Sequence, residues 1–373
     1  MKQLLICCLE DGRWPADLLD QVRRETETVE GSRAFFSIVV ERLSDLFEPR
    51  LSSVYARLFA DLIRQPALAT RFERIRQPRV CKQNPSKVFV LSRVTLGADV
   101  AVTSVMLAVA KARFPQAEIY YAGARKGWEL FAADRRILHK EVSYGRTARL
   151  KDRLEAKPDL YEPGAIVIDP DSRLTQLGLL PVCNDADYYF FDSRAYGGDS
   201  THTLTHLAQQ WCGETFETSA KPFIAPAPCG LPPAEVTVSL GVGENPLKRL
   251  PDPFERQLLH LLPDNTLVDQ GGTDEEAQRV LAALKPNQRT FQGSFARFAA
   301  AIRESMLYVG YDSAGGHVAS VCGVPLISIF SGAVGERMFH RWKPSGGLVI
   351  PATGLDNLKV LSQIDATLSG TGQ

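Results

Sequence analysis

The chain has 373 residues, 45% of them hydrophobic and 23% charged, which is the profile of a folded globular protein of two or three domains at roughly 150 residues each. Lys plus Arg (43) equals Asp plus Glu (43), so the formal net charge is zero; no global field draws the chain to nucleic acid or an anionic membrane, and any basic site must be local. Seven scattered cysteines (Cys7, Cys8, Cys81, Cys183, Cys212, Cys229, Cys322), never spaced as Cys-x-x-Cys, argue against a zinc ribbon or a disulfide framework and for a reducing cytoplasm.

The opening MKQLLICCLEDGRW has too short an apolar run for a signal peptide, and no run approaches the ~20 apolar residues that span a bilayer. Helical spacing recurs in Phe36, Val39, Val40, Leu43, Leu46, Phe47 and again in Leu51, Val54, Tyr55, Leu58, Phe59, Leu62, which predicts a helical hairpin across Glu48-Pro49. With further helices expected over Ala16–Val29 and Ala67–Arg76, residues 1–85 read as a helical module. Packing on the next domain is the plainer reading, and docking to a partner or to the inner membrane face is the alternative.

From Lys87 the period changes. Strands are expected at Val88–Leu91, Glu118–Tyr121, Ala165–Ile168 and Tyr188–Phe191, alternating with helices near Asp99–Arg113, Lys126–Ala133, Arg146–Ala156, Ser172–Leu180 and His202–Trp211. Such alternation builds a mostly parallel sheet with helices on both faces, here over 86–220. A proline-rich stretch starting at Glu217 supplies a linker at 221–234.

Over 235–373 the alternation restarts, with strands Val236–Leu240 and Thr266–Asp269 and one near Thr290, and helices Asp252–Leu262, Asp274–Leu284 and Phe295–Ser305. Then comes MLYVGYDSAGGHVASVCGVPLISIFSG (306–332): strand Leu307–Gly310, Asp312-Ser313, a turn Ala314-Gly315-Gly316, a helix opening at His317 and ended by Gly323, and strand Pro325–Phe330. Small residues before a helix N-terminus present unpaired N–H groups to an anion, so the stretch reads as a phosphate cradle, although glycines there also serve packing. A strand near Leu348–Ile350 and a helix Leu355–Leu368 complete the chain, the helix either staying with this domain or returning to the first. Two doubly wound α/β domains in tandem are expected to face each other across a cleft at their strands' carboxyl ends.

Four patterns fall in a fixed order: LSRVTLGADVAVTSVMLAVAKARFP (91–115), IDPDSRLTQLGLLP (168–181), SLGVGENPLKRLP (239–251) and the cradle. Together they resemble the heptosyltransferase-type enzymes of glycosyltransferase family 9, over roughly residues 87–370. Three details differ from the family pattern: Gly97-Ala98-Asp99 carries an interposed alanine, Lys248-Arg249-Leu250-Pro251 lacks a tryptophan, and Ala314 replaces a glycine.

The resemblance implies a GT-B fold and an inverting, metal-independent transferase of cytoplasmic location, with peripheral attachment at the inner membrane face as the alternative. It would move a sugar from a nucleotide-diphosphate donor to a saccharide hydroxyl, as in lipopolysaccharide or other surface-glycan assembly. It makes Asp99 the general base, with helix capping as the plain alternative, and places Lys248 at the departing diphosphate. Gly243, Arg249, Asp312, Ser313, Gly315, Gly316 and His317 fall on the donor side, although Arg249 could equally lie on a solvated face and His317 could simply be buried. Arg93, Asp169 and Arg173 fall on the acceptor side. No cofactor, metal or nucleic acid is implied. His202 and His206 are spaced for two metal ligands without a third, and Asp169-Pro170-Asp171 belongs to a different order from the acidic metal motif of other transferases. A scaffold that has lost turnover and a sugar-nucleotide epimerase are the rival readings.

Overall fold

A computed structural model describes residues 1–370 apart from Arg146, Glu244, Ala333 and Val334. The chain forms two compact units, Met1–Trp128 with Arg135–Pro222, and Glu129–Asp134 with Phe223–Gln373.

The first unit begins with α1 (Lys2–Glu10), α2 (Ala16–Thr26), α3 (Val29–Phe35), a π-helical turn (Phe36–Val40), α4 (Glu41–Asp45), α5 (Pro49–Leu62) and α6 (Ala67–Ile75). The helix expected to reach Val29 stops at Thr26, because Thr28 starts a new one by accepting the Gly31 N–H. α1, read only as a short apolar run, is a helix with Leu4 and Cys8 buried. The six helices share one core with the first sheet: Phe35, Phe36 and Phe59 pack ring on ring, and Phe72 meets Phe190 at 5.6 Å. Polar contacts fix the same interface, with Tyr55 donating to the Gln176 carbonyl at 3.0 Å and Ser52 to Asp192 at 2.7 Å.

The first sheet has strands β1 (Lys87–Leu91), β2 (Glu118–Gly123), β3 (Ile137–Glu141), β4 (Ala165–Asp169) and β5 (Tyr188–Phe190), all parallel, in the order β3-β2-β1-β4-β5. Its helices are α7 (Leu96–Ala98), which continues through a π-helical turn (Asp99–Thr103) into α8 (Ser104–Arg113), α9 (Arg125–Trp128), α10 (Leu150–Glu155) and α11 (Leu204–Phe216).

β3 is an edge strand with only Ile137 buried, so it carries no apolar run to read. The helix expected at Lys126–Ala133 ends at Trp128, and that expected from Arg146 begins at Leu150, with Arg146 itself outside the described residues. Ser172–Leu180 holds only a 3-10 turn (Arg173–Thr175), because Gln176, Leu177 and Gly178 all take positive φ and turn the chain back.

The second unit contains β6 (Val236–Ser239), α12 (Phe254–Leu261), β7 (Thr266–Asp269), α13 (Asp274–Ala283), β8 (Arg289–Phe291), α14 (Phe295–Arg303), β9 (Leu307–Tyr311), α15 (Ala314–Cys322), β10 (Leu326–Phe330), α16 (Glu336–Trp342), β11 (Gly347–Pro351) and α17 (Asn357–Gly370). The parallel order is β11-β10-β9-β6-β7-β8. The short α16 was not expected. α17 lies against α12 and buries Val360 and Ile364 in this unit's core.

Strand order reverses between β1 and β4 and between β6 and β9, and in open α/β sheets the crevice outside the carboxyl ends at such a reversal is where ligands bind. No helix among the described residues is long and apolar enough to cross a membrane.

Candidate functional site

Each unit carries a polar cluster at its own reversal point. In the first, the chain leaves β1 through Ser92-Arg93-Val94. Val94 takes φ 74°, an outlier for a β-branched residue, and Asp171, which follows β4, takes φ 71°. Both outliers lie at the carboxyl ends of adjacent strands, and sparsely populated backbone conformations of this kind cluster at functional sites.

The strained turn delivers donors to Asp99. Oδ1 accepts the Arg93 N–H (2.8 Å) and the Thr103 hydroxyl (2.8 Å), and Oδ2 accepts the Ser92 hydroxyl (2.8 Å) and Tyr121 (2.9 Å). Ser92 in turn accepts the Val94 N–H. Asp99 is 1% exposed and begins the π-helical turn; the N-cap of this helix is Thr95, so Asp99 does not cap it. Burial raises its pKa even against the four hydrogen bonds. A cavity of about 180 Å³ opens beside Asp99, walled by Val94, Tyr121, Gly127 and Leu174, with exposed Lys126 among its lining.

The three acceptor-side candidates differ in what holds them. Asp169 is fully buried; it accepts the Ser172 N–H (2.6 Å), the Thr175 hydroxyl (2.6 Å) and Tyr188, and burial lifts it to about 6. It therefore organises the turn after β4. Arg93 donates through Nη1 to the Pro170 carbonyl (2.6 Å) and Ser193 (2.9 Å), tying the β1 turn to the segments after β4 and β5, and burial lowers its pKa. Arg173 is half-buried on the 3-10 turn.

In the second unit, Lys248 ends a 3-10 turn (Pro246–Lys248) after β6, and its ammonium lies 2.7 Å from Asp312 Oδ2. The Lys248 carbonyl accepts the Ser331 hydroxyl, which ties the turn to the end of β10. The cradle helix starts at Ala314, three residues before the expected His317, with Ser313 as N-cap in extended backbone. The Ser313 side chain caps nothing, so the first N–H groups of α15 stay open to an acceptor. Ala314 has no positive φ, and the alanine in place of glycine is therefore unstrained.

The glycines play different parts. A Cβ on Gly315 would lie 2.3 Å from the Tyr308 hydroxyl, so glycine there lets the helix sit on β9. A Cβ on Gly316 would make only ordinary contacts at 3.6 Å, whereas Gly243 needs its φ of 60° for the turn. His317 is 8% exposed and edge-on to Trp342, and burial lowers its pKa, which leaves the imidazole neutral. Arg249 is committed to Glu255 and, at 3.7 Å, to Glu276.

Ser92, Thr103, Tyr121 and Tyr308 were not singled out from sequence. Thr103 stands four residues after Asp99 on one helix, a readable spacing, whereas Tyr121 arrives from β2. No group of three or more His, Cys, Asp or Glu that could hold a metal occurs among the described residues.

No protein-family model and no curated protein matches the sequence. Solved structures do match. The E. coli heptosyltransferase WaaC with ADP is 13% identical, at TM-score 0.54 over 75% of this chain and 99% of its own. The glycosyl transferase family 9 protein of Veillonella parvula is 18% identical, at 0.51 over 78% and 94%. The E. coli ADP-heptose lps heptosyltransferase II is 15% identical, at 0.52 over 77% and 100%. The chain thus has the two-domain α/β GT-B fold of these heptosyltransferase structures.

Proposed function

We propose that this chain is an inverting, metal-independent glycosyltransferase. Residues 86–220 would receive the acceptor, 235–373 the nucleotide-diphosphate sugar, and the helices of 1–85 would brace the acceptor side. Asp99 takes the proton of an acceptor hydroxyl while that oxygen bonds to the anomeric carbon of the donor. The bond from that carbon to the diphosphate breaks, its electron pair leaves on the phosphate oxygen, and Lys248 stabilises the charge that develops there. Asp312, Ser313, the N–H groups of Ala314, Gly315 and Gly316, and neutral His317 line the phosphate and sugar, and Arg173 faces the acceptor.

The observation that carries this reading is Lys248 standing beside the open N-terminus of α15 at the β6/β9 reversal: a fixed cation and unpaired N–H groups are what a diphosphate requires. Neighbours solved with ADP and with ADP-2-deoxy-2-fluoro heptose make ADP-sugars the first donors to try. The cysteines are all free, which suits a reducing compartment.

The test is a thermal-shift series with ADP-, UDP-, GDP- and dTDP-sugars, since a ligand that binds only the folded state raises the melting temperature by mass action. A selective shift is expected, and no shift with any of them removes the donor-site assignment. The four hydrogen bonds that saturate Asp99 favour one alternative, a GT-B scaffold without turnover. A shift without transfer to any acceptor would establish that alternative.

A further inference from the structure

A second cavity, of about 300 Å³, lies beside the edge strand β5, and its lining includes Arg76, Arg79, Asp192, Tyr196, Trp211 and Glu214. Two guanidiniums and two carboxylates sum to no net charge, so the wall does not select an ion. Donors and acceptors alternate around it, and the indole of Trp211, packed on Phe191, supplies an apolar side.

The guanidiniums are held in place. Arg76 lies 3.0 Å from Asp192 Oδ2, and Arg79 lies over the Tyr189 ring at 4.3 Å and donates to the Tyr188 carbonyl. Asp192 Oδ1 makes no hydrogen bond, with Arg194 Nε 3.5 Å away, and the Tyr196 hydroxyl pairs with Glu214; Asp192, Tyr196 and Glu214 all belong to the cavity lining.

Fixed donors and acceptors of balanced charge around an aromatic wall suit an uncharged ring with several hydroxyls and an apolar face. The volume is at the small end for ligand pockets and accommodates about one such ring. β5 stands two strands from β1, roughly 10 Å at the usual spacing, too far for that ring to be the one whose hydroxyl meets Asp99. The two places are nonetheless tied by contacts. Arg194, which neighbours Asp192, donates to Asp171 (3.2 Å); Asp171 accepts Ser193 (2.7 Å); Ser193 accepts Arg93 (2.9 Å); and the Arg93 N–H reaches Asp99.

We propose that the cavity beside β5 is a saccharide subsite that holds an uncharged pyranose ring of the acceptor, remote from the reacting hydroxyl. The proposal rests on the transferase reading above. Binding of remote substrate parts would supply the energy that orients the reacting one.

The test is retention of the full chain on an immobilised panel of neutral and acidic oligosaccharides of a few residues, with melting shifts by ADP, UDP, GDP and dTDP measured on the same preparations. Val80, 44% exposed in the cavity lining, allows filling without disturbing the core. Wild type should retain a subset containing neutral rings. Val80→Trp and Tyr196→Phe should weaken that binding at least tenfold. Retention of no oligosaccharide, retention of acidic ones alone, or undiminished binding by Val80→Trp and Tyr196→Phe would overturn the subsite. Nucleotide shifts without glycan retention sink the subsite alone. Retention sensitive to Val80→Trp without any nucleotide shift supports the saccharide site and sinks the transferase reading.

Discussion

The Lys248 ammonium lies 2.7 Å from Asp312 Oδ2 and 3.2 Å from the Asp312 carbonyl oxygen, so one residue orients the lysine through both backbone and side chain. At 25% and 14% side-chain exposure the pair is within reach of solvent, and its contribution to stability is at most about 1 kcal/mol. In the proposed reaction the contact would aim a cation. Lys248→Met should lower transfer roughly 10²–10³-fold and abolish the nucleotide-induced melting shift, with the unliganded melting temperature nearly unchanged. Asp312→Asn keeps the charge and loosens its direction, so the shift should persist while turnover falls less. Steady-state kinetics and melting curves on the two variants decide this, and wild-type turnover in Lys248→Met would remove the leaving-group role.

Asp99 gives a pH dependence whose sign follows from its burial. A base must be ionised, and burial raises its pKa, so kcat/KM should climb with pH along an acid limb lying above that of an ordinary aspartate. For stability, the folded state favours the protonated carboxyl. That contribution is complete below the ordinary aspartate pKa and is lost as pH rises through the raised value. Asp99→Asn stays neutral throughout. Its oxygen can keep the Arg93 N–H and Thr103, while the Ser92 and Tyr121 hydroxyls can rotate to accept. It should therefore lose transfer yet match or exceed wild type in urea resistance at neutral pH, with the gain vanishing toward acid. Lower resistance at neutral pH, or an acid limb at the ordinary position, would contradict the argument.

The fold was legible in the sequence because most strands are buried on both faces and read as short apolar runs, such as Val88–Leu91 and Ala165–Ile168. β3 was not, because Leu138, His139, Lys140 and Glu141 face outward or half outward on an edge. The Ser172–Leu180 segment shows helical spacing, yet Asp169 captures the Ser172 N–H and the Thr175 hydroxyl, and this side-chain competition turns the chain where periodicity predicted a helix. At the candidate site, local motifs picked out Asp99, Lys248 and Asp312. The contact between Lys248 and Asp312 spans 64 residues, and the donation from Tyr121 to Asp99 crosses from β2; both are products of topology with no local signature.

The resemblance puts Arg249 on the donor side, with a solvated face as the alternative, but its guanidinium is held by Glu255 and Glu276, and Glu276 also accepts the N–H groups of Val242 and Gly272. Removing the cation leaves Glu255, 5% exposed, with a raised pKa and one fewer partner. Arg249→Leu should therefore act on stability, costing about 3 kcal/mol as a broken buried pair does, while nucleotide affinity measured well below the melting temperature changes little. Denaturant titration paired with calorimetric binding checks this. A large affinity loss at unchanged stability would return Arg249 to the phosphate site.

Gly127 packs against the Tyr121 hydroxyl that donates to Asp99. A Cβ built there would lie 1.9 Å from the Tyr121 hydroxyl oxygen and 3.3 Å from Asp99 Oδ2, so alanine must displace the Tyr121 ring and withdraw one of the four donors from Asp99. Gly127→Ala should lower transfer and move the acid limb further up, since a carboxylate with fewer donors is harder to ionise. Overpacking adds about 1–3 kcal/mol of destabilisation. The nucleotide-induced shift, which reports on the second unit, should be unaffected. Tyr121→Phe removes the clashing oxygen, and in that background Gly127→Ala has less left to displace. The two substitutions should therefore be strongly non-additive, with a coupling above the ~0.3–0.5 kcal/mol scatter of independent sites in both urea resistance and kcat/KM. Additive effects would mean that Gly127 serves the local helix alone and that Tyr121 does not position Asp99.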